Sequence, residues 1–166
     1  MTPNVSAFLT TISHGEGSDR PPAPPDPYRT CFAFRHVTAD LNYHPHELRP
    51  DGTREWAGES LDFLGPPYVG EISSAAGRYQ ITLPTFKRLR DILKTVGFGP
   101  AVQDDMAIQL IKEKGALDLI FAGRVGDAIT ACNGIWASLP GSESGQPQKR
   151  LADLINTYGT AGGSFA

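Results

Sequence analysis

Three features of the sequence predict an α+β fold. Apolar residues recur with the 3.6-residue period of a helix at the N-terminus and again through the second half of the chain. Between them, Tyr28, Thr30, Phe32 and Phe34 alternate with Arg29, Cys31, Ala33 and Arg35, the period of a half-buried strand. From Asn42 to Gly70 the chain is rich in Pro, Gly and charge, as irregular segments are. The expected order is an N-terminal helix, a small antiparallel sheet with long loops, and a helical bundle, with a cleft between sheet and bundle. At 166 residues the chain can bury a core and reads as a single domain, 1–166.

The first helix rests on Val5, Phe8, Leu9 and Ile12, spaced i, i+3, i+4 and i+7 along one stripe. Pro21, Pro22, Pro24, Pro25 and Pro27 exclude helix and predict a stiff extended loop beside it. A second short strand is expected at Val37 to Leu41, and one helical turn near Glu59 to Phe63. Pro84 opens a helix whose inner face is Phe86, Leu89, Leu93 and Val96, ended by Gly97-Phe98-Gly99-Pro100. Pro100 opens another, with Val102, Met106, Leu110 and Ile111 inward and Gly115 as its stop. Ala116 to Phe121 is a short helix. The stripe Val125, Ala128, Ile129, Cys132 and Trp136 carries the next to Ala137, and Leu151, Leu154, Ile155 and Tyr158 mark the last.

Fifteen Lys and Arg against eighteen Asp and Glu leave a net charge of -3, so no electrostatic footprint for nucleic acid is visible. No basic amphipathic helix points to a membrane surface, and the longest uncharged run, Ala128 to Ser142, is too short and polar to span one. No secretory signal precedes Arg20, the first cationic side chain, which places synthesis in the cytoplasm. Cys31 and Cys132 are read as reduced thiols.

Glu16 is the residue with the clearest chemistry. It lies four positions beyond Ile12, where the apolar stripe would continue, and Gly15 and Gly17 flank it. Burial, the negative end of the helix dipole and the open space beside the glycines favour a protonated, accessible carboxyl group. A shift of two pKa units costs roughly 2.7 kcal/mol, tolerable in a domain of this size. Such a group suits a general acid for glycosidic bond cleavage. The same residues also allow a helix that ends one turn earlier at Gly15, with Glu16 in a solvated loop. A second constellation is Ser73 to Gln80. Small residues there would let a ligand approach the backbone, and Arg78, Tyr79 and Gln80 could meet sugar rings and hydroxyls. A turn with Tyr79 anchored in the core is the competing reading.

Four strings, Ile12 to Ser18, Ala76 to Gln80, Ile111 to Leu117 (IKEKGAL) and Ile135 to Gly141 (IWASLPG), resemble the bacteriophage lambda endolysin family of lysozyme-like lytic transglycosylases. The resemblance runs from the first helix to the last and diverges between Arg49 and Glu71. It implies a lysozyme-like fold and cleavage of the MurNAc-GlcNAc bonds of peptidoglycan, leaving 1,6-anhydromuramic acid ends and lysing the host. It implies Glu16 as the single acid/base. Ser74, Arg78, Tyr79 and Gln80 are then substrate-binding residues, joined by Tyr28, Asp40 and, by a looser match, Asn133. No cofactor or metal is implied. The enzyme would be a monomer, made in the host cytoplasm and released to the periplasm through a holin, with no direct membrane binding.

Three other readings compete with this one. Phage muramidases place an Asp and a Thr at fixed distances after their Glu, where this chain has Pro25 and Cys31, although Asp26 and Thr30 are adjacent and either Asp26 or Asp40 could hold the water or stabilise the cation. A metal-dependent peptidase or amidase could use His36, His44 and His46 with Cys31 or Asp40, whose spacing matches no strong zinc signature. A wall-binding module without catalysis would stack sugars on Trp56, Tyr68 and Tyr79.

Overall fold

The computed structural model describes residues 1–166, folded as two compact units: Met1–Gly17 with Ala107–Ala166, and Ser18–Met106. No helix is long and apolar enough to cross a membrane.

The first unit is helical. Helix α1, Pro3–Glu16, starts at Thr2, whose side chain accepts from the Val5 amide, and at Pro3, whose fixed φ suits a first turn. It packs against α6 (Leu151–Thr160) and α4 (Leu117–Phe121), while α5 (Val125–Cys132) touches both of those. Val5, Phe8, Leu9 and Ile12 are all buried, as their spacing requires, with Ile111, Ile120, Ile129, Leu154 and Tyr158. Asn4 ties the unit's ends together, donating to the Ile120 carbonyl at 3.0 Å and accepting from the Ser164 amide at 2.9 Å. Helix α5 stops at Cys132, short of the expected Ala137. Trp136 is nonetheless buried, carried inward by the turns that follow.

The second unit contains little regular structure. Strands β1 (Glu59–Ser60) and β2 (Ile72–Ser73) pair antiparallel, Glu59 opposite Ser73. The expected strand at Tyr28 to Phe34 is not formed. Asp26 caps a single turn at Pro27–Arg29, and Phe32–Phe34 is another turn, with Ala33 and Phe34 at φ 62 and 60. Only Thr30 and Cys31 keep β-type pairing, with Val37 and Ala76. Local capping by Asp26 and the left-handed pair of residues override the alternating pattern. The turn expected near Glu59 to Phe63 lies instead at Asp62–Leu64.

Helix α2, Leu83–Leu93, buries Phe86 and Leu89, but Val96 falls beyond its end and is 90% exposed. His44 lies in this core, 5.3 Å from the Phe86 ring and 4.8 Å from the Phe98 ring, and its Nε2 meets the Ile81 carbonyl at 2.9 Å. Burial drives its pKa down to about 4, so it is neutral. Helix α3, Pro100–Glu113, begins in this unit and ends in the other.

Candidate active site

Glu16 is the last residue of α1. The helix does not end at Gly15: Gly17 closes it, with φ 75 and its amide bonded to the His14 carbonyl at 3.1 Å. A left-handed closing residue is why a glycine stands there. Ser138, 122 residues away in sequence, donates its hydroxyl to Glu16 Oε1 at 2.5 Å. Gly15 makes this approach possible, since a Cβ there would stand 3.0 Å from the Ser138 hydroxyl. Burial raises the Glu16 pKa to about 7, while the Ser138 hydroxyl and backbone and the charge of Lys149 pull it back down. A carboxyl poised there can both give and take a proton near neutral pH.

The Ser138 turn is itself braced. Its carbonyl accepts from the Lys149 amide at 2.8 Å, and Asn133 Nδ2 donates to the Pro140 carbonyl at 3.3 Å. Asn133, expected to bind substrate, thus spends an amide donor on the loop that carries Ser138. Neither Ser138 nor Lys149 was singled out from the sequence. The one signal for Ser138 was its place inside the IWASLPG string.

In the other unit, Ala76 to Ile81 forms a tight hairpin, with both backbone bonds made between Ala76 and Ile81. Gly77 has φ 77, and a Cβ on it would fall 2.1 Å from Gln103 Oε1, so only glycine fits. Gln103, wholly buried on α3, clasps the turn. It accepts from the Arg78 amide at 2.9 Å and donates to the carbonyls of Tyr28 and Phe98 at 2.9 and 2.7 Å. A polar residue one turn before buried Met106 was the overlooked signal.

Tyr28, Arg78 and Tyr79 come together around Asp104. Both tyrosine hydroxyls donate to its Oδ1, at 2.9 and 2.6 Å, and the Arg78 guanidinium lies 5.4 Å from each ring centroid. Tyr79 is fully buried, which corrects its expected role: a ring with no exposed face cannot stack on a sugar. Burial also pushes the hydroxyl pKas of both tyrosines upward, so they stay donors. Gln80 adopts φ 49 and turns its amide back to the Gly77 carbonyl at 2.9 Å. Ser74 accepts from the Leu83 amide at 3.0 Å, capping α2. Asp40 accepts from the Asn42 amide and from Arg49, which also meets Glu55.

The alternative readings meet obstacles here. Asp26 caps the Tyr28 amide at 3.1 Å and pairs with Arg29 Nε at 3.1 Å, so both its oxygens are engaged. No three His, Cys, Asp or Glu side chains converge where they could hold a metal ion. Trp56 is 8% exposed, with His36 stacked on its ring and His46 at its edge, which removes it as a stacking platform.

Comparison with known proteins places the fold. A family model described as Endolysin matches residues 6–165. The endolysin of Escherichia phage P2 is 49% identical over 164 residues, covering 96% of this chain and 93% of the relative. That of Escherichia phage lambda is 42% identical over 92 residues, covering 55% of this chain and 58% of the relative. A solved structure of bacteriophage lambda lysozyme complexed with a chitohexasaccharide aligns over 100% of this chain and 98% of its own, at 32% identity and a TM-score of 0.83.

Proposed function

Because the chain belongs to the endolysin family and shares the lambda lysozyme fold, we propose that it cuts the MurNAc-GlcNAc bonds of bacterial peptidoglycan as a lytic transglycosylase, leaving 1,6-anhydromuramic acid ends. The observation that carries this reading is Glu16, a helix-terminal carboxyl raised to about 7 by burial and held by Ser138. Protonated, it donates to the leaving glycosidic oxygen as the C–O bond breaks and an oxocarbenium-like centre forms. As carboxylate, it then takes the proton of the muramoyl 6-hydroxyl, whose oxygen closes on C1. One group serves both steps, and no water is consumed.

A hydrolase needs either a placed water or a covalent intermediate, and both routes normally use a second carboxylate. Asp26 and Asp40 are the sequence candidates for that role; Asp26 is committed to Tyr28 and Arg29, and Asp40 to the Asn42 amide and Arg49. The tethered 6-hydroxyl needs only orientation, since effective molarities in aligned intramolecular reactions reach about 10⁵ M. The whole chain, 1–166, acts as one catalytic domain, monomeric and without a cofactor. It reaches the wall from the host cytoplasm when a holin opens the membrane. Mass analysis of the digest is the test: anhydro ends are expected. Reducing muramic acid ends that disappear in Asp26→Asn would make the protein a muramidase.

A further inference from the structure

Phe63, Val69 and Ile72 are 66%, 62% and 61% exposed, three large apolar side chains within ten residues, the first two in the stretch that diverges from the resembled family and the third just beyond it. An exposed apolar segment of this kind marks a candidate contact surface. This one is rigidly built. The Leu61 amide bonds the Glu71 carbonyl at 2.9 Å, the Gly70 amide bonds Asp62 Oδ1 at 2.6 Å, and β1 pairs with β2 immediately outside. Phe63 stacks against half-buried Phe32, with ring centroids 6.4 Å apart and planes 28° apart. Phe32 is fixed from its own side by its amide bond to the Ala75 carbonyl at 2.9 Å, next to Ser74. The two residues after it, Ala33 and Phe34, are both left-handed, a conformation costing roughly 1–2 kcal/mol per side-chain-bearing residue. Strain of this kind collects where a side chain must be presented.

We propose that Phe32 and Phe63 form an aromatic platform on which sugar rings of a glycan strand stack, a binding subsite of the peptidoglycan-cleaving reading above, on which it rests. A hexopyranose has an apolar C–H face and a rim of hydroxyls, so it is recognised by an aromatic wall edged with hydrogen-bonding groups. Hydrogen-bonding groups are close in the chain: Arg35, three residues beyond Phe32, pairs with Glu59 at 2.7 Å, and Ser60 on β1 lies three residues before Phe63. Charge disfavours an anionic lipid surface, because Asp62 directly precedes Phe63 and Glu71 directly precedes Ile72. The platform continues from Phe32 through Ala75 into the Ala76 to Ile81 hairpin, the segment already read as substrate-binding.

The test titrates chitohexaose, an N-acetylglucosamine oligomer, into protein carrying Glu16→Gln, with Phe63 either native, Phe63→Ser or Phe63→Trp. Serine should weaken binding about tenfold and raise KM for soluble glycan strands in the Glu16 protein equally, with kcat and thermal midpoint unchanged. Tryptophan should keep the affinity and change its emission as the oligomer binds. Equal affinity for native and Phe63→Ser proteins, in a protein that clears cell walls, would overturn the platform alone. Failure of the native protein to bind the oligomer and to clear walls would overturn both readings. Binding to anionic vesicles abolished by Phe63→Ser, with chitohexaose affinity intact, would reassign the patch to a membrane.

Discussion

At the scale of single residues, the environment of Glu16 fixes both chemistry and a stability profile. Glu16→Gln should lose at least 10²-fold in lytic activity, the lower end of what general acid–base catalysis contributes, while folding normally. Retention of more than about a tenth of wild-type lysis would remove Glu16 from its role. The folded pKa of about 7 lies above the ordinary 4.5, so the native state holds this proton more tightly than the unfolded chain. The resulting stabilisation is complete below pH 4.5 and is lost as pH rises through 7, up to about 3 kcal/mol. Glu16→Gln should abolish that loss, and thermal midpoints of the two proteins at pH 5 and pH 8 would show it. Ser138 lowers the Glu16 pKa. Ser138→Ala should therefore move the basic limb of the pH–kcat/KM profile to higher pH, and an unmoved limb would mean that the 2.5 Å bond does not form in solution.

Elements decide whether those residues reach their places. Helix α1 delivers Glu16 because Thr2 starts it and Gly17 stops it one residue after the carboxylate. The Ala76 to Ile81 hairpin depends on Gly77 and on Gln103 from α3. Gly77→Ala introduces a left-handed side chain and drives a methyl into Gln103, which must let go of the Arg78 amide. Strain and a lost buried hydrogen bond together cost roughly 2–4 kcal/mol, lowering the thermal midpoint of a chain this size by about 5–10 °C. A midpoint within a degree of wild type, measured by calorimetry, would show that the hairpin tolerates the change. Tyr28 and Tyr79, both on Asp104, belong to the same support. Their truncation should act on stability as much as on lysis.

For the whole molecule, the distinguishing property is the class of bond broken. Glu16 needs no metal for the proposed reaction, and two of the histidines that a metal site would use are engaged elsewhere: His44 with the Ile81 carbonyl, His46 with the Trp56 carbonyl. Wall clearing should proceed undiminished in a strong chelator and release glycan fragments with stem peptides intact. Chelator-sensitive lysis with free peptides among the products would contradict the glycan reading. The two units each carry a share of the candidate residues: Glu16 and Asn133 in one, Tyr28, Asp40, Ser74 and Arg78 to Gln80 in the other.

The sequence alone determined where the helices lie and marked Glu16 as the charged position on the first stripe, while the structure decided between Gly15 and Glu16 as that helix's end and stopped α5 at Cys132. Periodicity is a local property, and Val5, Phe8, Leu9 and Ile12 point to Glu16 without reference to the rest of the chain. Composition likewise marked 42–70 as irregular. Tertiary structure decided what no local pattern encodes. Ser138 meets Glu16 across 122 residues of chain. Tyr79 is withdrawn into the core by Asp104, and Asp26 is spent on a turn where an alternating pattern promised a strand. Trp56 is enclosed by histidines, whereas Phe63 is left in solvent against Phe32. In each case a side chain has two favourable environments, and the choice depends on which distant group packing brings within hydrogen-bonding or van der Waals reach.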